Sequence, residues 1–235
     1  MRKTVLITGA AKGIGSSLVH YFAKNNYNVV INYLTSEKEA LELKNTVEKL
    51  YDINALVVKA DITNEDEVIN MINIIHDKFG FIDVLINNAA LAIDDNYKDK
   101  TKTDFLRVLE VNVIGTFLVT KYASKYMDKG SVINISSRDS VDTYNELSMD
   151  YCASKAGVNS LTQTFSLAIP SIKFISLLLP WVNTEAVKEM YQPFLENELK
   201  RTGQEKLLEP SYVAEKIYNI INNETIKSGS IINID

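Results

Sequence analysis

A tyrosine and a lysine four residues apart, Tyr151 and Lys155, could carry proton-transfer chemistry. At the start of a helix this spacing places both side chains on one face, so that the ammonium can lie beside the phenol. A free phenol has a pKa of about 10 and is a poor acid or base near neutrality, but a neighbouring cation favours the phenolate and lowers that pKa. Tyr151 is therefore predicted to donate and accept protons.

The spacing alone is not decisive, because Tyr212 is also followed by a lysine four residues later. The two tyrosines differ in context. Tyr151 follows a predicted strand that ends in Ser136 and Ser137, and then a loop long enough to shape a pocket. Tyr212 follows Pro210 in a stretch that resembles a surface helix. We therefore expect the chemistry at Tyr151.

A glycine-rich stretch from Thr8 to Gly15 joins a short apolar run to an amphipathic one. Glycines let the backbone turn tightly and approach a bound group, and the amino end of the following helix favours a phosphate. The spacing is Gly-x-x-x-Gly-x-Gly, not the common Gly-x-Gly-x-x-Gly. The stretch predicts a dinucleotide site. The alternative is an ordinary glycine-rich turn between a strand and a helix.

The choice of cofactor is argued from charge. A dinucleotide fold that prefers NAD usually places a carboxylate about twenty residues after the glycines, where it holds the ribose 2′-hydroxyl. Residues 32–35, beginning at Asn32, include no carboxylate, and Lys12 within the loop could reach a 2′-phosphate. This favours NADP(H) over NAD(H), unless Lys12 is only a solvated loop lysine.

The elements that must position these groups alternate along the chain, strand then helix. Strands are predicted at Thr4–Thr8, Asn28–Asn32, Ala55–Lys59, Val84–Asn87, Ser131–Ser136, Phe174–Leu179 and Ile231–Ile234. Continuous apolar strands joined by helical crossovers imply a parallel sheet covered by helices on both faces. We predict an α/β fold, with one Rossmann-type doubly wound domain over residues 1–235 and about seven parallel strands.

Capping signals and apolar spacing also place the helices. A capping box from Ser36 to Glu39 predicts a helix, and its buried residues are expected to be Leu41, Leu43, Val47 and Leu50. A second such signal begins at Thr63. Two long helices are predicted, at 103–125 and at 151–168.

Ligands of such a sheet bind at the carboxyl ends of its strands. Polar residues collect there, and although each alone could be a helix cap or turn former, their common position at one edge predicts a ligand site. These residues are Thr8, Asn32, Asp61, Asn87, Asn88, Ser136, Ser137 and Thr184.

Composition excludes several other classes. A chain of 235 residues that is 46% hydrophobic can bury a full core, and a net charge of −5 without a Lys/Arg cluster gives no reason to expect nucleic acid. The single Cys152 cannot form an internal disulfide, and no apolar stretch is long enough to span a bilayer. We expect a cytoplasmic protein without a membrane partner. His20 and His76 lack carboxylate or cysteine companions, so no metal site is expected.

In combination these motifs resemble the classical short-chain dehydrogenases/reductases, over nearly the whole chain. The stretch 8–15 is similar to that family's cofactor motif, Asp61-Ile62 to its adenine-contacting pair, and residues 87–90 to its Asn-Asn-Ala-Gly segment. The general pattern is nearest to the 3-oxoacyl-carrier-protein reductase type. The residues at the positions of the family's catalytic tetrad are Asn112, Ser137, Tyr151 and Lys155.

The resemblance implies a role for each of these four residues. Tyr151 would donate a proton to a carbonyl oxygen whose carbon receives a hydride from the cofactor. Ser137 would orient that oxygen, with the neighbouring Ser136 as an open alternative. Lys155 would lower the tyrosine pKa and bind the nicotinamide ribose, and Asn112 would hold a water molecule in the proton relay.

The resemblance also implies a set of cofactor contacts. They are Gly9, Ala11, Lys12, Gly13, Ile14, Gly15, Asn32, Asp61, Ile62, Asn87, Ala89, Tyr151, Lys155, Val182 and Thr184. The expected function is NADP(H)-dependent hydride transfer to a small carbonyl compound or from a secondary alcohol. The alternative is a non-catalytic NADP(H)-binding sensor or scaffold.

Substrate preference is expected in the segments 91–102, 138–150 and 181–209. The third segment is predicted to be a lid, because Met190, Tyr191, Phe194 and Leu195 form an apolar face flanked by charges. The resemblance further implies a homodimer or homotetramer, with one interface built from the two long helices.

Overall fold

Seven strands pair side by side into one parallel sheet in the computed structural model, which describes residues 2–235. The strands are β1 (Thr4–Ile7), β2 (Asn28–Tyr33), β3 (Ala55–Lys59), β4 (Val84–Asn87), β5 (Gly130–Ser137), β6 (Ile172–Leu179) and β7 (Ser230–Asn233). Their order in the sheet is β3-β2-β1-β4-β5-β6-β7, so the chain reverses direction across the sheet after β3. The predicted doubly wound fold is confirmed.

Helices cover both faces of this sheet. They are α1 (Gly13–Lys24), α2 (Glu37–Tyr51), α3 (Glu65–Phe79), α4 (Lys102–Leu109), α5 (Thr116–Ala123), α6 (Met149–Ala168), α7 (Glu185–Lys188), α8 (Gln192–Thr202) and α9 (Pro210–Ile221). None of the helices within residues 2–235 is long and apolar enough to cross a lipid bilayer.

The core has two layers because successive side chains of a strand point to opposite faces. In β1, Val5 and Ile7 pack with α1, α2 and α9, whereas Leu6 packs with α3 and α5 on the other face. Strands buried on both faces read as continuous apolar runs, which is why they could be recognised in the sequence.

Two details of α2 differ from the prediction. Ser36 makes no capping hydrogen bond, because its backbone (ψ 57°) is not extended as in a typical N-cap residue. Leu41 and Leu50 are exposed, since the buried stripe runs through Ala40, Leu43 and Val47. Leu41 lies about 100° around the helix from that stripe, and Leu50 falls in the last turn.

The long helix predicted at 103–125 is also interrupted. After α4 the chain forms a π-helical turn, Glu110–Gly115, then α5, and finally a 3₁₀ turn, Ser124–Tyr126. Such wide turns insert one extra residue into a helix and often occur at functional sites. The turn is built around the buried Asn112.

Candidate active site

The glycine loop turns sharply between β1 and α1, where Gly9 and Gly13 have φ angles of 58° and 56°. That left-handed conformation favours glycine. A methyl group at Gly15 would lie 2.6 Å from the Gly9 carbonyl oxygen, so the loop closes tightly on the start of the helix. Close approach of backbone to backbone is what a pyrophosphate-binding loop needs.

Asn88, at the end of β4, fastens this loop. Its Nδ2 donates to the carbonyl oxygens of Thr8 at 2.9 Å and Gly9 at 3.0 Å. The Thr8 hydroxyl in turn accepts from the N–H groups of Asn88 and Ala89, both at 3.0 Å. The strand ends that were predicted to gather polar residues are therefore joined directly.

The amino end of α1 fits a dinucleotide. Its N-cap residue, Lys12, makes no capping hydrogen bond, and the first turn carries no acidic residue within the described chain. N–H groups without side-chain partners at a helix start favour an anion. A methyl group at Gly13 would lie 3.3 Å from Thr184 Cγ2, so the loop faces Thr184 across a narrow gap.

The surroundings of Lys12 and Asn32 are more crowded than the sequence indicated. Lys12 Nζ lies 2.9 Å from Glu39 Oε1, so its charge is already paired. That hydrogen bond raises the pKa of Lys12 and lowers the pKa of Glu39. Asn32 is buried, and its side chain bonds Gly9 N, Val58 O and Ala60 O. A direct contact of the Asn32 side chain with a cofactor stays a prediction.

Two further predicted contacts have structural partners of their own. Asp61 Oδ1 accepts from the N–H and hydroxyl of Thr63, which closes the turn before α3. Asn87 Nδ2 donates to Thr120 Oγ1 at 3.0 Å and Asn134 Oδ1 at 2.8 Å, inside the layer between sheet and helices. Asn88, which the sequence did not single out as a cofactor contact, faces the loop instead.

Tyr151 lies in the first turn of α6, beside the end of β5. Lys155 is buried one turn later, and its Nζ donates to Ile135 O at 2.7 Å and lies 5.4 Å from the centre of the Tyr151 ring. The Ser137 hydroxyl interacts with the Tyr151 phenol, whereas the Ser136 hydroxyl donates to Lys155 O at 3.2 Å. Of the two serines, only Ser137 is placed beside the phenol.

The electrostatics of this group differ from the expected pattern. The pKa of Tyr151 is raised, first by burial and then by the nearby carboxylate of Asp139, while the hydrogen bond from Ser137 acts in the opposite direction. Burial lowers the pKa of Lys155 to about 8. The net shift is therefore opposite to the lowering expected from Lys155, because burial of the phenol outweighs the groups that favour its phenolate.

Asn112 is wholly buried in the π-helical turn and joins three elements. Its Oδ1 accepts from Leu91 N at 2.8 Å, and its Nδ2 donates to Leu91 O at 2.8 Å and to Ser154 Oγ at 2.9 Å. The side chain thus fixes the start of the segment 91–102 against α6. Its predicted water-holding role stays a prediction.

A cavity of about 260 Å³ opens in front of Tyr151. All three segments expected to set substrate preference line it, together with Ile14 from the glycine loop. Its lining includes Ala92, Asp94, Ser137, Asp139, Tyr151, Trp181, Val182, Thr184 and Met190. Two acidic side chains, Asp94 and Asp139, therefore face the same space as the phenol, and both belong to segments expected to set substrate preference.

The predicted lid segment is folded and fastened. It contains α7 and α8, and Arg201 of α8 donates to the carbonyl oxygens of Thr143 and Tyr144 and to Glu198. Leu195 is buried, whereas Tyr191 is 75% exposed and lies outside the expected apolar contact. Arg201 thus links this segment to the 138–150 segment on the opposite side of the cavity.

The second tyrosine–lysine pair shows that the four-residue spacing brings a lysine beside a tyrosine but does not by itself create a buried site. Lys216 Nζ lies 5.0 Å from the centre of the Tyr212 ring, close to the value for the first pair. The Tyr212 hydroxyl, however, donates to Asp235 O near the surface, and Lys216 is exposed. Burial beside a cavity distinguishes Tyr151.

Within residues 2–235, no three His, Cys, Asp or Glu side chains converge as a metal site requires.

Solved structures share this architecture. A mutant short-chain dehydrogenase/reductase from Serratia marcescens superposes with a TM-score of 0.92 at 23% identity, over 99% of this chain and 96% of that one. A dehydrogenase/reductase from Sinorhizobium meliloti 1021 gives 0.93 at 22%, over 99% and 93%. At these identities the likeness establishes the fold.

Sequence comparison adds the family. Glucose 1-dehydrogenase 2 of Bacillus subtilis (strain 168) is 33% identical over 170 residues, which are 70% of this chain and 65% of that relative. The chain thus covers slightly less than two thirds of the relative's length. The family described as short chain dehydrogenase matches residues 3–193. Since that match covers most of the sequence, and the fold and the glycine loop agree with it, the chain belongs to the short chain dehydrogenase family.

Proposed function

We propose that this protein transfers a hydride between NADP(H) and a small carbonyl compound or secondary alcohol, with Tyr151 as the general acid–base. The observation that carries the proposal is the meeting of Tyr151, Ser137 and Lys155 at one wall of a cavity that also reaches Ile14 of the glycine loop. When bound, the nicotinamide cofactor supplies the hydride chemistry.

The protein's own residues account for the proton. The raised pKa of Tyr151 keeps its phenol protonated, which is the form that donates to an oxygen gaining negative charge. Ser137 shares the phenol's side of the cavity and can hydrogen-bond the same oxygen. With a pKa of about 8, Lys155 is still cationic at pH 7 and stabilises the phenolate that forms when the proton leaves.

Cofactor contacts follow from the same geometry. The N–H groups at the start of α1 would hold the pyrophosphate, while Thr184 and Val182 would face the nicotinamide end. The preference for NADP(H) depends on Lys12, which must leave Glu39 to meet a 2′-phosphate. Ala11, Asp61, Ile62 and the other predicted contacts belong to this proposal.

Two substrate classes compete. The 3-oxoacyl thioesters follow from the general resemblance of the motifs. A hydroxyl-rich aldose follows from the activity for which the Bacillus relative is named. The two carboxylates in the cavity, Asp94 and Asp139, support this class because carboxylates accept hydrogen bonds from hydroxyl groups.

A cytoplasmic location is proposed from the half-buried thiol of Cys152, which has no disulfide partner.

The test compares two tyrosine variants with the same helical spacing to a lysine. Tyr151→Phe should still bind NADPH in a fluorescence titration and lose roughly 10²- to 10⁴-fold in kcat. Tyr212→Phe, the matched control, should keep both. The substrate panel contains acetoacetyl thioesters and simple ketones and aldehydes with NADPH, and glucose with NADP⁺.

Each result has a definite reading. Full turnover by Tyr151→Phe would overturn the assigned mechanism. Tight NADPH binding by the wild type with no turnover of any compound would favour the alternative, a non-catalytic sensor or scaffold of the same fold.

A further inference from the structure

A buried ion pair lies behind the cavity and is not part of the proposed chemistry. Lys100 Nζ is 2.9 Å from both carboxylate oxygens of Asp150, and the two side chains are only 5% and 0% exposed. The same ammonium donates to Ile93 O at 2.6 Å. All three of its protons are therefore directed at protein oxygens. Burying two charges is costly unless their geometry is well satisfied, which makes this pair a strong positional constraint.

On one side the pair holds the helix turn that carries Tyr151. Asp150 directly precedes Tyr151 in the first turn of α6, and its Oδ1 accepts from Tyr151 N at 2.9 Å. That N–H is one of the groups at a helix start without a partner in the helix itself. The carboxylate thus ties the backbone of the tyrosine to Lys100.

On the other side the pair holds a wall of the cavity. Ile93, whose carbonyl accepts from Lys100, lies between Ala92 and Asp94, which both line the cavity. Two more hydrogen bonds follow the same seam. Asp95 N donates to Leu147 O at 3.0 Å, and the Ser148 hydroxyl donates to the carboxylate of Asp94. The segment 92–100 is therefore fastened to the residues just before Tyr151.

We propose that Lys100 and Asp150 are positioning residues, which set the distance between Tyr151 and the cavity wall at residues 92–94. Neither side chain lines the cavity, so both act through other groups. This inference rests on the proposed function, because the wall matters to the reaction only if Tyr151 transfers the proton. The glycine loop and Thr184, where most of the proposed cofactor contacts lie, are not joined to the pair, so the affinity for NADPH should change little.

The test uses a variant that removes both charges, Lys100→Met with Asp150→Asn. A single Lys100→Met change would leave a buried carboxylate without its partner and could fail to fold. In the double variant the side-chain amide that replaces the carboxylate can still accept from Tyr151 N, but the link to Ile93 O is gone. Lys121→Met is the matched control, because Lys121 forms an exposed ion pair with Glu65 at 2.8 Å, away from the cavity.

Three quantities are measured. In the double variant, amide hydrogen exchange in residues 91–101 should be at least roughly tenfold faster than in the wild type. The kcat/KM for the best substrate of the panel should fall by roughly 10- to 100-fold, because misplacing reacting groups by about 1 Å can have that effect. The dissociation constant for NADPH should stay within about twofold. Lys121→Met should change none of these quantities.

The outcomes separate this proposal from the one on which it rests. Unchanged exchange in residues 91–101 would show that the pair does not hold the wall, and would overturn the inference. Faster exchange with unchanged kcat/KM would also overturn it, since the wall would then not matter to the reaction. A wild type that turns over none of the panel overturns the proposed function, and hydrogen exchange still decides whether the pair holds the wall.

Discussion

Lys155 is the residue at which burial and charge conflict most directly. Its ammonium is buried among β5 and α6 with the Ile135 carbonyl as its hydrogen-bond acceptor, and desolvation lowers its pKa to about 8. In the unfolded chain the pKa returns to the ordinary 10.5. Below pH 8 the folded protein must therefore keep a charge where water would solvate it better.

We predict that Lys155→Met stabilises the protein at pH 7 while removing activity. Between pH 8 and 10.5 Lys155 binds more protons in the unfolded chain than in the folded chain, so its contribution to wild-type stability should rise with pH across that window. The variant lacks this dependence. Once the lost hydrogen bond is subtracted, its gain should be on the order of 2 kcal/mol at pH 7, and it should vanish near pH 10.5.

The measurement is urea unfolding of both proteins at pH 7 and at pH 9.5. Lower stability of Lys155→Met than of the wild type at pH 7 would contradict the prediction. It would mean that the hydrogen bond to Ile135 O contributes more than desolvation takes away.

Lys12 is the residue on which the cofactor preference depends. Its partner, Glu39, is also exposed, so the pair can exchange with solvent and with a ligand. We predict that Glu39→Gln strengthens NADPH binding by roughly two- to fivefold, since a free Lys12 can meet the 2′-phosphate and a repelling carboxylate is removed. Binding of NADH should change less.

The control for this prediction lies on the same helix. Glu42 pairs with Lys38 at 3.9 Å, and Glu42→Gln should leave both affinities unchanged. Fluorescence titration of each variant with NADPH and NADH gives the answer. Equal effects of Glu39→Gln on the two cofactors would show that Lys12 does not meet the 2′-phosphate.

At the level of the elements, the glycine loop and α1 form one rigid unit. A methyl group at Gly15 would lie 2.6 Å from Gly9 O and 2.7 Å from Ala10 Cα, both backbone atoms that cannot rotate away. The loop would have to open. We predict that Gly15→Ala destabilises the protein by about 1–3 kcal/mol and weakens NADPH binding by roughly tenfold, the equivalent of 1.4 kcal/mol.

Gly157→Ala is the control for this substitution. A methyl group at Gly157, inside α6, would meet only the two side-chain methyl carbons of Val113, at 3.2 and 3.7 Å, and that side chain can adjust. Thermal unfolding and NADPH titration should therefore give near wild-type values for Gly157→Ala. A Gly15→Ala protein with normal NADPH affinity would show that the tight closure of the loop is not needed for binding.

The elements also show how far the sequence could be read. The strands were predictable because residues buried on both faces leave an apolar run, as at residues 29–31 in the wholly buried strand β2. The π-helical turn was not, because it depends on Asn112 reaching Leu91 and Ser154, which are distant in sequence. The periodicity of apolar residues along the sequence does not predict such long-range hydrogen bonds.

The candidate site, too, could be predicted from the sequence only in part. Tyr151, Ser137 and Lys155 were predictable from residue types and spacing at one strand end. The influence of the Asp139 carboxylate on the phenol and the pairing of Lys12 with Glu39 were not, since both require elements to be packed together first. Their effects on pKa follow from burial and distance, which the sequence alone does not provide.

At the scale of the whole molecule, an apolar face remains exposed on the helices next to α6. Leu106 of α4, Ile114 of the π-helical turn and Phe117 of α5 are 52%, 47% and 37% exposed. These residues recur at helical spacing, so they form a stripe along one side. The described part of the chain does not cover this stripe, and a contiguous apolar surface is typical of a protein–protein contact.

We predict that this stripe is the contact between two copies of the chain, as the expected homodimer or homotetramer requires. Ile114→Glu would place a charge in the middle of that contact, where it must lose its hydration without gaining a partner. The variant should therefore sediment as a smaller species than the wild type at the same micromolar concentration.

Leu50→Glu is the control, because Leu50 on α2 is 60% exposed and lies outside the stripe. Its sedimentation should match that of the wild type. A monomeric wild type, or an Ile114→Glu variant that assembles normally, would exclude the stripe as the subunit interface, and the exposed leucine, isoleucine and phenylalanine would then need a different partner.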